Sequence, residues 1–380
     1  GATIADIRRH LFAGDGSGLV REFGWLAGGG EALVGKVTTA LPSVPPRLAR
    51  YDCRNNRLLL AALAQIATAV EAAIARFGRA RVGIVLGTST SGIAEGEAAI
   101  AALRLNGSLP ADFDYAAQEI GTAAPFLAAH LGLTGPAYTV STACTSSAKA
   151  LISARRLIAG GFCDAVIAGG ADSLSRLTVS GFTALESMSP ERCNPMSVNR
   201  CGINIGEGAA LFLVTRSEAA IALLGCGESS DAFHLSAPEP EGRGAATAMR
   251  SALSDAGIPA DDIDYVNLHG TATPKNDEME SRAMARVFPQ GVPASSTKPL
   301  TGHLLGAAGA TEAAFCWMSL SDDRQRLPPH LWDGQNDPQL PSLKLVEPGD
   351  TFARHSRCHM MSNGFAFGGS NACLILGDAP

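Results

Sequence analysis

The chain has 380 residues, of which 46% are hydrophobic and 17% charged, with a formal net charge of −6. That length allows two domains or one large duplicated unit, and the apolar fraction predicts a large buried core, which excludes a disordered scaffold. An acidic balance without a Lys/Arg run or a basic stripe excludes nucleic acid as a partner.

The charges Asp6, Arg8, Arg9 and Asp15 exclude a secretory apolar core near the start of the chain. The most apolar stretch, residues 58–75, holds Gln65, Thr68 and Glu71 and reads as a buried helix, not a membrane span. Nine cysteines with no CxxC and no histidine pairing at zinc spacing predict reduced thiols in a cytoplasmic protein and no metal site.

In chain order, a short helix is predicted over residues 4–13, closed by Gly14-Asp15-Gly16. A Pro-rich segment, 41–46, leads to Arg47, Arg50, Arg54 and Arg57, which open a long helix to Phe77. Charge alone makes this cluster a solvated face, with a docking patch for an acidic partner as the functional alternative. Residues 81–86 read as a strand ending in the loop Gly87-Thr88-Ser89-Thr90-Ser91-Gly92, and 116–131 as a helix.

Residues 138–141 (YTVS) form a strand that breaks at Thr142-Ala143-Cys144, and a helix follows to the stop Gly160-Gly161. Cys144 therefore lies at a strand-to-helix turn, where unpaired N–H groups and the helix dipole favour a thiolate. Ser146, Ser147, Ala148 and Ala150 let other backbone approach it. The competing reading is a structural thiol, because free cysteine is among the most buried residue types.

Residues 164–168 read as an apolar strand, 177–205 as irregular, and 209–214 as a strand. The second half repeats this grammar with helices over 244–256, 278–287 and 302–320 and strands over 264–268, 294–296, 358–361 and 373–376. Alternating strands and helices predict an α/β fold with a largely parallel sheet covered on both faces. In both halves a polar strand end feeds a helix of Ala, Gly and Ser, at 142–150 and 302–314, a pattern of internal duplication in which these helices face one another.

Three further stretches carry reactive residues: Asn267 to Pro274 with His269, Ser296 to Gly309 with Lys298 and His303, and the Gly-rich Ser362 to Asn371 with Phe365 and Phe367. Taken alone, His303 is a satisfied core histidine and the Gly-rich loop a turn. Together, one cysteine and two histidines at strand ends and helix starts make up the set needed for carbon–carbon bond formation on thioesters. The cysteine takes the acyl group, and two imidazole N–H groups stabilise the enolate left when a malonyl-type thioester loses carbon dioxide. Lys298 supplies a charge that orients water or keeps the histidines neutral.

The pieces TACTSS, HGTAT, KPLTGHLLGAAGATE and FAFGGSN resemble, in order and spacing, those of elongating β-ketoacyl-acyl carrier protein synthases, over nearly the whole chain. The resemblance implies a duplicated thiolase-like αβαβα fold. Residues 1–215 would form the half with the nucleophile, and 216–380 the half with the histidines, the lysine and the gating loop. It implies Cys144 as the acylated residue, His269 and His303 as the decarboxylation pair, and Lys298 with Glu312 in support. The backbone N–H groups of Cys144 and Phe367 would form the oxyanion hole, and Phe367 would gate it.

Thr271 and Thr273 match threonines that bind the pantetheine arm. Phe182, Phe365 and Thr90 match acyl-pocket positions, and Arg47, Arg50 and Arg54 become a docking patch for an acidic acyl carrier protein. No permanent cofactor is implied, since the phosphopantetheine arm arrives on the carrier. The partners implied are that carrier, malonyl and acyl thioesters, and a second subunit, either a copy or a homologue.

Three departures stand out. Ala366 replaces a glycine usual in the loop, which predicts a stiffer loop. Residues 194–203 are poorer in Arg, Asp and aromatics than in the family, which predicts rearranged salt bridges. The family's opening strand has no counterpart, Gly1 matching a point just after it. Keeping two histidines separates the chain from thiolases and from initiating synthases. A polyketide or aryl-polyene pigment pathway is the specialised reading of the function, and a non-catalytic chain-length subunit the rival from another class.

Overall fold

The structure is a computed structural model describing residues 3–217, 219–354 and 357–379. In chain order its elements are α1 (Ile4–Ala13), β1 (Leu19–Phe23), β2 (Glu31–Gly35), α2 (Arg54–Phe77), β3 (Val82–Gly87), α3 (Ile93–Asn106), α4 (Ala123–Leu131), β4 (Ala137–Val140), α5 (Ser146–Ala159), β5 (Ala165–Asp172), α6 (Arg176–Ala184) and β6 (Gly208–Thr215). They continue with β7 (Ile221–Ser230), α7 (Arg243–Ala256), β8 (Tyr265–Asn267), α8 (Pro274–Val287), β9 (Pro293–Ser295), α9 (Lys298–Thr301), α10 (Ala308–Leu320), β10 (Lys344–Leu345), β11 (His359–Phe365) and β12 (Ser370–Asp378).

Two sheets carry the fold, ordered β4-β3-β5-β6 and β10-β9-β8-β11-β12-β7. In the first, β4, β3 and β5 run parallel and β6 antiparallel. In the second, β9, β8 and β11 run parallel and β12 antiparallel. The runs β4-β3-β5-β6 and β9-β8-β11-β12 share one sequence of strand directions, as the expected duplication requires, and each largely parallel run ends in an antiparallel strand. The second sheet continues past β12 with β7, whereas β6 has no strand beyond it among the described residues.

The layers follow from the sequence patterns. β5 is buried along its whole length, as a continuous apolar run inside an α/β fold requires. α5 and α10 form the middle layer and touch through their small residues. A Cβ on Gly309 would meet the Ala148 Cβ at 2.7 Å, and Ala310 N–H donates to Ser147 Oγ at 2.9 Å. Large side chains at these positions would part the helices and with them the two halves of the site.

Several elements differ from expectation. The hairpin β1–β2, helix α3 and strand β7 were not anticipated, and α6 lies inside a stretch read as irregular. The helix expected over 302–320 starts only at Ala308, because Gly302 takes φ 73° and Leu305 φ 49°. The helix expected over 116–131 is two short 3-10 turns followed by α4. α2 has the length and apolarity of a membrane span but is amphipathic, neither fully buried nor apolar all round. Leu58, Leu59, Leu63, Val70 and Ala73 pack inward, while Gln65, Thr68, Glu71 and small alanines face out.

Candidate active site

Cys144 stands directly before Thr145, the residue that opens α5. The turn is tight enough to force Ala143 to φ 52°, in the left-handed region that a side chain rarely adopts. His303 follows Gly302, which has a positive φ of 73°, and precedes the positive-φ Leu305. Its backbone is held by donation from its N–H to Asn204 carbonyl oxygen at 2.6 Å and by acceptance from Gly206 N–H at 2.9 Å. His269 lies just past β8, where the N–H groups of His269 and Gly270 donate to the two oxygens of the buried Glu280 at 2.8 and 2.7 Å.

These turns bring the three side chains together. Cys144 Sγ lies 3.0 Å from His303 Nε2. The two imidazoles meet edge to face, with centroids 5.3 Å apart, and a sulfur and two ring nitrogens fall within 4.8 Å of one another. Behind them Lys298 and Glu312, 1% and 4% exposed, form an ion pair at 2.5 Å. Phe365 stands edge-on to His269 at 6.0 Å, and Phe367 packs on Phe182 at 5.5 Å.

The electrostatics revise one expectation. A helix terminus was expected to favour the thiolate, but burial pushes the Cys144 thiol up to about 12, with Lys298 and the Phe367 N–H only partly opposing it. The resting sulfur is therefore a thiol, and its proton must leave through the histidine it touches. Burial, followed by the Lys298 charge, pulls both imidazoles well below their ordinary value. Neutral His303 can therefore accept the thiol proton at Nε2, and its other tautomer, with the proton on Nε2, can donate to an oxyanion. Sulfur and imidazole nitrogen are also zinc ligands, but the buried Lys298 ammonium beside them opposes a cation.

A cavity of 280 Å³ reaches this group. Cys144, His269, His303, Thr271, Thr273, Phe182, Phe365 and Phe367 all line it. Thr90 does not. It is buried beneath, its hydroxyl donating to Asp172 at 2.8 Å. Lys298 and Glu312 sit behind the histidines, outside the lining.

The arginine cluster is divided. Arg54 forks onto the buried Glu207, Nε to Oε2 at 2.8 Å and a guanidinium N–H to Oε1, and so serves the fold instead of a docking face. Arg47 caps the end of α4 at the Ala129 and His130 carbonyls, and Arg50 stays exposed, 3.6 Å from Asp114.

The atypical 194–203 segment has its own ties. Arg200 pairs with Asp337 at 2.5 Å, Ser197 Oγ donates to Asp333, and Met196 N–H donates to Asp277. Ala366 is extended and buried, and the loop's left-handed positions fall to Gly368 and Gly369.

Sequence reasoning missed Glu280 and Asp172. Glu280 had a readable signal: with Asn276 and Asp277 it places polar groups on the inward face of amphipathic α8, a pattern that bare solubility does not explain. Asp172 ends an apolar strand and had none.

Comparison with known proteins agrees with this geometry. Residues 29–220 match the family described as Beta-ketoacyl synthase, N-terminal domain, and residues 221–331 its C-terminal domain. The chain is 35% identical over 316 residues to 3-oxoacyl-acyl-carrier-protein synthase 2 of Coxiella burnetii, covering 78% of this chain and 75% of that one. It is 36% identical to nodulation protein E of a Rhizobium species over 77% of this chain and 75% of that one.

Among solved structures it is similar to a ketosynthase (ApeO) in complex with its chain length factor (ApeC) from Xenorhabdus doucetiae. That match has 48% identity and a TM-score of 0.95, and covers 100% of this chain and 95% of that one. It is also similar to the ishigamide ketosynthase/chain length factor, at 26% identity and TM-score 0.87, covering 100% and 96%. With a thiolase-like fold and a Cys-His-His centre that these matches span, the chain belongs to the beta-ketoacyl synthase family of acyl-transferring condensing enzymes.

Proposed function

We propose that the chain is an elongating β-ketoacyl-acyl carrier protein synthase of fatty acid or polyketide-type biosynthesis. An acyl group passes from a carrier's phosphopantetheine thiol to Cys144. Malonyl-carrier protein then loses carbon dioxide, and its enolate carbon attacks the Cys144 thioester, lengthening the chain by two carbons. The observation that carries this reading is the 3.0 Å contact of Cys144 Sγ with His303 Nε2 beside a second neutral imidazole.

In the first step His303 Nε2 takes the thiol proton and the carrier's thiolate leaves protonated. In the second, His269 and the tautomer of His303 that carries its proton on Nε2 donate N–H groups to the enolate oxygen. The N–H groups of Cys144 and Phe367 are assigned to the thioester oxyanion, and Thr271 and Thr273 to the pantetheine arm at the cavity wall. The nucleophile is carried by residues 1–215 and the histidines by 216–380, and the α5–α10 contact supports that division.

Carrier docking falls to Arg47 and Arg50 in this reading, and Arg54 is withdrawn. A cytoplasmic setting agrees with buried cysteines such as Cys53, Cys163 and Cys316 that are held as free thiols. The second subunit is a homologue or a copy, and a chain length factor of the kind that accompanies the Xenorhabdus ketosynthase fits best. Support comes from exposed apolar side chains at Ile100, Leu103, Leu105, Tyr115, Ile120 and Tyr138, the last of them on β4, an edge strand that leads to Cys144. The rival, a non-catalytic chain-length subunit, is disfavoured because all three reactive side chains are kept and converge.

Intact-mass measurement after incubation with acyl-loaded carrier protein tests the reading. An adduct of the acyl mass is expected on the native chain and none on Cys144→Ala. An adduct on the variant, or none on either, refutes it.

A further inference from the structure

Asp172, the last residue of β5, is fully buried and faces donors only. Its Oδ1 accepts from Thr88 Oγ1 at 2.6 Å, Ser89 N–H at 2.8 Å, Thr90 N–H at 2.9 Å and Thr90 Oγ1 at 2.8 Å. Its Oδ2 accepts from Gly306 N–H at 2.5 Å. Both hydroxyls also accept backbone N–H groups, Thr88 from Ser91 at 3.0 Å and Thr90 from Ser173 at 3.1 Å, and each turns its own proton to Asp172. Burial raises the carboxyl and these donors oppose it. Donated hydrogen bonds from two hydroxyls and three backbone N–H groups favour the charged form against that burial. No Lys or Arg pairs with it among the described ion pairs.

Gly306 belongs to the turn that presents His303, and the other donors to the Thr88–Thr90 loop, which touches the turn that presents Cys144. Gly306 lies three residues beyond His303 and directly after the strained Leu305, and a Cβ on it would collide with Asp172 Oδ2 at 2.8 Å and Ser89 Oγ at 2.7 Å. Ser89, tied to Asp172 by its N–H, donates its hydroxyl to the carbonyl of Ala143 at 3.2 Å, the other strained residue, directly before Cys144. Left-handed non-glycine residues persist only where surrounding contacts over-determine them. Asp172 itself does not line the cavity.

We propose that Asp172 is a positioning residue that holds the Cys144 turn and the His303 turn in register, through Ser89 on one side and Gly306 on the other. The proposal rests on the condensing-enzyme reading for its effect on turnover, but not for its effect on the thiol. Asp172→Asn keeps the shape and sets an amide N–H against either the Gly306 N–H or the donors on Oδ1. It also removes a negative charge that opposes the Cys144 thiolate.

The test follows two readouts on Asp172→Asn: alkylation of Cys144 by iodoacetamide against pH, located by peptide mass, and condensation with malonyl-carrier protein. The expected result is that the alkylation profile moves to lower pH while condensation falls roughly ten- to a hundred-fold, as a loosened reactive pair should. A merely structural lesion would lower both, and an idle residue would change neither. Either outcome overturns the proposal.

Ser89→Ala keeps every donor to Asp172 and cuts only the Ala143 tether, so it should slow condensation without moving the alkylation profile. An unchanged condensation rate there removes the Cys144 arm of the proposal. If Asp172→Asn fails to fold, Thr90→Val, which deletes one donor to Oδ1 and keeps the carboxyl, takes its place: condensation should fall while the alkylation profile holds, and an unchanged condensation rate overturns the proposal. A native chain that alkylates at Cys144 but never condenses would count against the functional reading and leave the alkylation result standing.

Discussion

Replacing the Lys298–Glu312 pair, singly and together, probes both stability and catalysis. Nζ and Oε1 are 2.5 Å apart and both side chains are buried. Their gross attraction is roughly 7 kcal/mol at an effective dielectric of about 20, most of it offset by the cost of taking two ions out of water. Removing one partner strands the other. Lys298→Met or Glu312→Gln should each lose about 3–5 kcal/mol, a large share of the ~5–15 kcal/mol a folded domain holds. The double variant leaves no uncompensated charge and should lose much less.

Chemical denaturation of the four proteins measures the cycle, and the double variant then reports on mechanism. Lys298 is, after burial, the cause that holds both histidines low, so deleting its charge raises them. Only a neutral His303 can accept the Cys144 proton, and that form is lost as pH falls through its pKa. The acid limb of Cys144 acylation should therefore move to higher pH in the double variant. An unmoved limb, or one displaced downward, would show that Lys298 does not keep His303 neutral. A double variant as unstable as the sum of the singles would refute the ion-pair accounting.

The two histidines should separate by step. His303→Ala removes the group that touches the sulfur and one enolate donor, so acylation slows and decarboxylation falls further, by roughly 10²–10³-fold. His269→Ala should spare acylation of Cys144 and lose decarboxylation. Equal losses in both steps for both variants would contradict the assignment, and intact mass and carbon dioxide release read the two steps independently.

Reversing Arg47 and Arg50 to Glu should weaken binding of the carrier protein, more so at low salt, where exposed charges act at longer range. Titration at two ionic strengths measures it, and unchanged affinity would return both to a solvated face. Arg54→Ala should instead lower stability, by roughly 3 kcal/mol, because Glu207 is left buried and unpaired. A denaturation midpoint like that of the native chain would place Arg54 back among the docking candidates.

Much of the centre could be read from local sequence because its residues sit where local rules are strong. A β-branched run stopping at Thr142-Ala143-Cys144 before small residues predicts a strand, a turn and a tightly packed helix. His269 before a glycine and His303 after one likewise announce chain reversals. The duplication was visible for the same reason: two helices of Ala, Gly and Ser tolerate few other roles, and α5 against α10 is where they meet. α3 and β7 escaped because their apolar residues follow neither period cleanly, and α6 because its turn-forming flanks masked nine helical residues.

What lay beyond sequence were the quantities that depend on three-dimensional surroundings. A helix terminus argues for a thiolate, but only the packed site shows that burial outweighs it and hands the proton to His303. Arg54 and Arg50 look alike in a string of letters, yet a glutamate 153 residues away takes the first, while the second stays exposed beside Asp114. Thr90, placed by its loop near the acyl pocket, turns inward to a carboxylate that nothing around Ala171 or Ser173 singled out. Strand ends, turns and small-residue faces are set by neighbours in the chain, and so the sequence alone determined the reactive set and its duplicated frame. Protonation, ion pairing and the register of the two turns are set by groups distant in sequence and close in space, and the tertiary structure decided them.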